Sequence, residues 1–146
     1  MSRAARCLVA GGLALLLGGC FSDRPTAPSG PGGAVSFAAD VQPILSGSCA
    51  FSGCHGTSNA QPGGKPMVLT ASQSYDNVVG VASDELPTMQ RIRAGQPDNS
   101  YLIHKLQGTH RTAGGSGERM PLGSAALPQA TIDRIRTWVA NGASRN

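Results

Sequence analysis

Hydrophobic residues recur at helical spacing in four segments downstream of residue 34, and stretches rich in Gly, Pro and polar residues separate these segments. The longest segment, residues 127–139, places its apolar side chains three and four positions apart. Pro128 suits the first position of a helix, and Asn141 with Gly142 provides a stop signal. The segment therefore predicts an amphipathic helix whose buried stripe consists of Ile132, Ile135, Trp138 and Val139.

Three shorter helices are predicted by the same spacing, over residues 36–45, 74–79 and 98–106. Asp40 is predicted to cap the first of them, and Asp98 or Asn99 to cap the third. The strand signal is weak, because the apolar run at 67–69 is too short to support a sheet. The fold class predicted is mainly α, a small domain of short helices joined by long loops.

Aromatic residues are scarce in this chain. Its 146 residues include one Trp, two Tyr and three Phe. Aromatic side chains supply much of the apolar area in most small cores. The domain is therefore expected either to pack small aliphatic side chains or to bury a group that is not protein.

Residues 1–19 have the organisation of a secretory signal. Arg3 and Arg6 precede an apolar run that is too short to span a membrane permanently. The run closes with LGGC at Cys20, which resembles the lipobox of bacterial lipoproteins. The resemblance implies that Cys20 is diacylated, that the chain is cut before it and, since Phe21 rather than Asp follows, that the outer membrane is the destination. Ordinary signal cleavage, with Cys20 an incidental thiol, is the alternative.

Residues 20–34 are rich in Pro and Gly and show no apolar period, which predicts a flexible linker between the lipid anchor and a folded domain at 35–146. Arg3 and Arg6 supply two of the four net positive charges, and no Lys/Arg cluster remains without them. We therefore expect no nucleic-acid partner. The predicted location is the periplasm or the cell surface, with membrane attachment through Cys20.

The sequence CAFSGCH occupies positions 49–55, with His55 directly after the second of two cysteines. Cys49 and Cys54 are the only thiols left once the predicted signal and lipid cysteines are set aside. Covalent attachment of haem c requires two thiols, which add to the porphyrin vinyl groups, and an adjacent His that ligates the iron. The usual spacing has about two residues between the cysteines; here there are four, and Gly53 supplies backbone freedom for the longer form. The motif predicts one covalent haem c.

Two other chemistries suit the same cysteines. An exported compartment oxidises close thiol pairs, so a Cys49–Cys54 disulfide, with His55 an incidental loop residue, is one alternative. Zinc is the other, and it requires a fourth ligand from His104 or His110.

Candidates for the second iron ligand are Met67, Met89 and Met120. Met120 is favoured because the Gly-rich residues 114–117 precede it and Pro121, which keeps the segment out of a helix, follows it. The other two methionines are expected to fill gaps in the core. His104, expected on the wetter side of its helix, and His110, expected in a solvated polar loop, are the alternatives to Met120.

Several sequence blocks resemble, in order and spacing, the bacterial monohaem cytochrome c domains of planctomycete-type and related exported lipoproteins. The blocks are FxxDVQPIL from Phe37, CHG from Cys54, GxPxxSYLxxKL from Gly95, RMP from Arg119 and IxxIxxWVxxGA from Ile132. The resemblance implies that Cys49 and Cys54 bind haem, with His55 as the proximal and Met120 as the distal iron ligand. It also implies that the N- and C-terminal helices cross, with Trp138 in their contact.

No nucleophile–base pair, paired carboxylates or phosphate-binding loop is visible in the sequence, so no catalytic set is predicted. The predicted function is that of an exported, lipid-anchored electron carrier that exchanges electrons with redox partner proteins through one haem, and not that of an enzyme. One alternative is a lipoprotein structural or binding domain with a disulfide and no haem. Another is a haem protein with an open distal position and peroxidase-type activity.

Overall fold

Short helices and long loops build the protein in the residues that its structure, a computed structural model, describes: 34–56 and 67–146. The α-helices of these residues are α1 (Gln42–Ser48), α2 (Ser74–Val78), α3 (Tyr101–Gln107) and α4 (Gln129–Ala140). A π-helical segment, Phe37–Val41, leads into α1, and a 3-10 turn, Pro97–Asn99, precedes α3. The described chain has isolated β-bridges and no strand, so the mainly-α prediction is confirmed.

The predicted signal at 1–19, the lipidation site Cys20 and nearly all of the predicted linker lie outside the described residues. The predictions made for them therefore stay predictions. Within 34–56 and 67–146, no helix has the length and apolar character needed to cross a membrane.

Ser36 caps the π-helical segment that leads into α1, and no side chain caps α1 itself, so the prediction that Asp40 caps the first helix is wrong. The Ser36 hydroxyl accepts a hydrogen bond from the Ala39 amide at 3.3 Å, while the Ser36 amide donates to the Asp40 carboxylate at 2.8 Å. This reciprocal arrangement satisfies amides of the first turn from both directions. Asp40 is instead buried inside the π-helical segment, where it pairs with Arg134 of α4 at 3.1 Å.

The predicted caps of the third helix are also wrong, because Asp98 and Asn99 belong to the 3-10 turn that precedes α3. The residue before α3 is Ser100, and its hydroxyl lies 2.8 Å from the Gln96 carbonyl, which it uses to close the turn rather than to cap the helix. Asp98 faces α4 and pairs with Arg136 at 2.6 Å. Asp98 thus forms an ion pair instead of a cap, whereas Asp40 accepts from the Ser36 amide through one carboxylate oxygen and pairs with Arg134 through the other.

α4 closely follows its predicted course. Pro128 immediately precedes the helix, where its missing N–H costs nothing, and Asn141 follows Ala140 with Gly142 at a φ of +98°. The predicted stripe of Ile132, Ile135, Trp138 and Val139 is buried. The 3.6-residue period of the apolar positions therefore identified the buried face of the helix correctly.

Half of the chain's aromatic residues meet in one cluster that joins the two ends of the domain. The ring of Trp138 lies 5.1 Å from that of Phe37, and Tyr75 completes the cluster at 5.2 Å from Phe37. The indole N–H donates to the Ser144 carbonyl at 2.9 Å, so the buried polar atom of Trp138 is satisfied. The predicted contact between the N- and C-terminal helical segments through Trp138 is therefore present.

Replacement of Trp138 by Ala should lower the free energy of unfolding by about 3–5 kcal/mol, since it leaves a large cavity in this cluster. Urea denaturation followed by far-UV circular dichroism measures the change. Thr137→Ala, on the exposed side of the same helix, is the matched control and should change the free energy by no more than about 0.5 kcal/mol. Equal effects of the two substitutions would show that the aromatic cluster is not the central contact.

Candidate functional site

The loop that follows α1 folds the CAFSGCH motif back on itself. The amides of Cys54 and Gly56 both donate to the Phe51 carbonyl, at 3.0 and 2.9 Å. The amide of His55 donates to the Cys49 carbonyl at 3.1 Å. These hydrogen bonds accommodate four residues between the cysteines in a compact turn and bring the two ends of the motif together.

Two glycines make this turn possible. Gly53 has a φ of +82°, in the left-handed region that side chains other than glycine rarely adopt, as expected for the extra residues of the motif. Gly56 is needed for a different reason, because a Cβ on it would lie 2.6 Å from the Ala50 carbonyl oxygen and 2.8 Å from backbone atoms of Phe51. The loop backbone therefore approaches itself too closely for any side chain at position 56.

The tautomer of His55 is set by a hydrogen bond to the backbone. His55 Nδ1 lies 3.0 Å from the Met67 carbonyl oxygen, and since a carbonyl only accepts, Nδ1 carries the proton. Burial lowers the pKa of His55 below its ordinary value; the hydrogen bond to Met67 opposes this effect, and the positive charges of Arg91 and Lys105 add to it. The imidazole is therefore neutral at neutral pH, with a lone pair on Nε2 for a metal ion.

Two adjoining cavities, of about 420 Å³ and about 150 Å³, meet at His55. The residues that line both of them are His55, Met67, Leu102, Met120 and Leu122. Cys49 and Cys54 line the smaller cavity, whose other side chains are mostly apolar. The larger cavity has a polar end with two buried cations, Arg91 paired with Asp84 at 2.7 Å and Lys105 paired with Glu85 at 2.6 Å. All four predicted site residues, Cys49, Cys54, His55 and Met120, thus share the smaller cavity.

The structure brings a second methionine to the same place. Met67 packs against the core as predicted, but it also lines both cavities beside Met120. Met67 was one of the three candidate ligands, but the sequence favoured a core role for it, because residues 57–66, which separate it from His55 in the sequence, carry no periodic signal. Met89 lines neither cavity.

The Gly-rich segment before Met120 is held by α3. The Tyr101 hydroxyl accepts from the Ser116 amide at 3.2 Å, and Lys105 donates to the Ser116 carbonyl at 3.3 Å. The Lys105 carbonyl accepts from the Met120 amide at 3.0 Å. A Cβ on Gly115 would overlap the Tyr101 ring, so a glycine is needed here for close packing.

The two remaining histidines, His104 and His110, line neither cavity. His104 is half-exposed on α3, with its ring nitrogens 2.8 Å from the Thr109 hydroxyl and 3.0 Å from the Asp98 carbonyl. His110 was predicted to be solvated, and this prediction is wrong: it is 3% exposed. Its Nε2 lies 3.0 Å from the Gly117 carbonyl, because the Gly-rich loop closes over the ring.

The two thiols of the motif have different surroundings. Cys49 is buried and Cys54 is exposed, and no disulfide joins this described pair. Burial, together with the nearby Cys54, raises the pKa of Cys49 to about 11. Within 34–56 and 67–146, no group of three His, Cys, Asp or Glu side chains is arranged to hold a metal ion.

The chain matches no protein-family model, no curated protein and no solved structure. The resemblance carried by its sequence blocks therefore stays a prediction. What the site can do follows from its own geometry and chemistry: two thiols, one neutral imidazole and two thioethers surround an apolar cavity.

Gly56→Ala should destabilise the motif loop by roughly 1–3 kcal/mol, since the added Cβ meets backbone atoms that cannot turn aside. Gly47→Ala is the matched control, because a Cβ there meets nothing within 4 Å and the exposed helical position gains up to about 1 kcal/mol. Urea denaturation of the two variants measures both effects. Equal stabilities would contradict the close approach described for the loop.

The rates of alkylation by iodoacetamide should differ between the two thiols in reduced protein. Because only a thiolate reacts, and the pKa of Cys49 is about 11, its rate should rise about tenfold per pH unit up to that pH. At pH 8 the exposed Cys54 should react first. Mass spectrometry of Cys49→Ser and Cys54→Ser variants assigns the two rates, and a Cys49 rate that levels off near pH 9 would contradict its burial.

Proposed function

We propose that this protein is an exported, lipid-anchored c-type cytochrome that carries electrons through one covalently attached haem. A single observation carries the proposal: one cavity is lined by Cys49, Cys54, His55 and Met120, although Met120 is far from the other three in the sequence. Two thiols for the porphyrin vinyl groups and two donors for the iron are the complete set that a six-coordinate haem c requires.

The residues around these four fit the group. Leu69, Leu102 and Leu106 give the smaller cavity an apolar wall, and the larger cavity lies within the ~300–1,000 Å³ typical of ligand sites. The polar end of the larger cavity offers Arg91 and Lys105, which suit the carboxylates of haem, and their acidic partners lie nearer the solvent. The apolar cavity with the thiols suits the edge of haem that carries the vinyl groups, and the polar end with the cations suits the edge that carries the carboxylates.

His55 and Met120 would be the two protein ligands that hold the iron. The hydrogen bond from His55 Nδ1 to Met67 keeps Nε2 unprotonated and orients the ring, which is how proteins commonly prepare a His ligand. When bound, the haem supplies a one-electron couple at its iron. A neutral thioether ligand favours the ferrous state and so raises the reduction potential relative to a second imidazole.

Two protein ligands leave no open iron position for a substrate. Electron transfer to and from redox partner proteins therefore suits the site better than peroxide chemistry does. The predicted lipid on Cys20 and the linker would keep the domain at the membrane surface, within reach of membrane-bound partners.

Exported wild-type protein should carry the mass of one haem and show the sharp reduced α and Soret bands of a six-coordinate c-type cytochrome. Replacing both Cys49 and Cys54 by Ala should remove the covalent haem, since no other cysteine of residues 34–56 and 67–146 lines the cavity. A colourless wild-type sample with these two sulfurs bonded to each other would replace the proposal by the disulfide-containing lipoprotein domain.

Met120→Leu should abolish the thioether-to-iron charge-transfer band and lower the reduction potential by on the order of 100 mV, within the ~0.8 V range that axial ligands span. Haem should remain attached, because the cysteines are unchanged. Met67→Leu is the matched control, since it alters a methionine that lines the same cavities, and it should leave the band in place. The reverse result would assign the distal position to Met67.

A further inference from the structure

His110 is a buried titratable residue that the proposed electron transfer does not use. The residue is 3% exposed, its Nε2 lies 3.0 Å from the Gly117 carbonyl, and its Nδ1 is buried without a hydrogen-bond partner. No other buried side-chain polar atom in the described chain lacks a partner. An apolar side chain would avoid this unsatisfied atom, so packing alone does not explain a histidine here.

The hydrogen bond made by Nε2 closes the loop that leads to Met120. Since the Gly117 carbonyl only accepts, Nε2 carries the proton and donates. The carbonyl of His110 also accepts from the Gly115 amide at 2.9 Å, so one residue holds the loop at two points. Arg111 donates to Gly117 as well, but its side chain is 66% exposed and its hydrogen bond competes with water.

Gly117 lies three residues before Met120. Because this span is short, the hydrogen bond from His110 to the Gly117 carbonyl also restricts the position of Met120. Three residues reach at most about 10 Å. The far end of the span is fixed too, because the Met120 amide donates to the Lys105 carbonyl of α3 at 3.0 Å. Between a fixed Gly117 carbonyl and a fixed Met120 amide, the chain has little freedom to move the Met120 side chain out of the cavity.

We propose that His110 is a positioning residue for the Met120 thioether, acting through the Gly117 carbonyl. This inference rests on the proposed function, in which Met120 is the distal iron ligand. The role is geometric: the ring keeps Met120 bound in competition with ligands from solution.

The test uses ferric holoprotein and imidazole as the competing ligand, with loss of the thioether-to-iron band as the readout. His110→Leu removes the donor and the unsatisfied nitrogen together. We expect imidazole to displace Met120 at about tenfold lower concentration, the change in equilibrium that one lost hydrogen bond produces. His110→Gln keeps an N–H donor at a similar distance from the backbone, so the imidazole concentration that displaces Met120 should return to within about threefold of wild type.

Two further variants separate positioning from general stability. His104→Leu removes a histidine on α3 that lies outside both cavities, and it should leave the displacement by imidazole unchanged. The unfolding temperature of His110→Leu should equal or exceed that of wild type, because the unsatisfied nitrogen is gone. If His110→Leu fails to load haem, His110→Asn takes its place, since its shorter amide cannot reach Gly117 and should show the same tenfold effect.

The outcomes distinguish the two proposals. Equal displacement of Met120 in wild type, His110→Leu and His110→Asn would overturn the role of His110 and leave the cytochrome assignment intact. A wild-type protein that carries haem but lacks the thioether band would overturn the role of His110 together with Met120 ligation. A wild-type protein without haem would overturn the proposed function itself.

Discussion

Trp138 packs against Phe37 and close to Tyr75, and through this contact α4 holds the two ends of the described chain together. The other α-helices have only five to seven residues, too few to persist alone in water. They therefore depend on tertiary contacts, and the aromatic cluster is one of these. The Asp40–Arg134 and Asp98–Arg136 ion pairs add electrostatic links from α4 to the N-terminal segment and to the turn before α3.

The candidate site depends on these contacts, because the helices that they hold in place support the loops of the site. α1 ends directly before Cys49, so the motif loop starts from a fixed point. α3 supports the segment that carries Met120 through Tyr101 and Lys105. Both segments line the cavities, and the hydrogen bond from His55 to Met67 brings the segment that begins at Met67 to the same place. With so much of the wall made of loops, a bound porphyrin would supply stabilising contacts, as any ligand specific for the folded state does.

The features that the sequence predicts well are those with a local physical cause. The period of Ile132, Ile135, Trp138 and Val139 marks the buried face of α4, and Asn141 with Gly142 marks its end. The features predicted wrongly are those in which a distant partner wins. Asp40 and Asp98 have the side chains of caps, yet each pairs with an arginine of α4. His110 lies in a polar stretch, yet the Gly-rich loop closes over it.

The sequence by itself determined the helical segments, the order of the two thiols and the imidazole, and the scarcity of aromatic residues, because these depend on neighbours within a few positions. Only the tertiary structure decided which methionines reach His55, which histidine is buried, and that Gly56 and Gly115 lie against other chain segments. Those outcomes depend on contacts between residues far apart in the chain. Loop residues carry no period that would reveal such contacts, so the folded packing alone determines them.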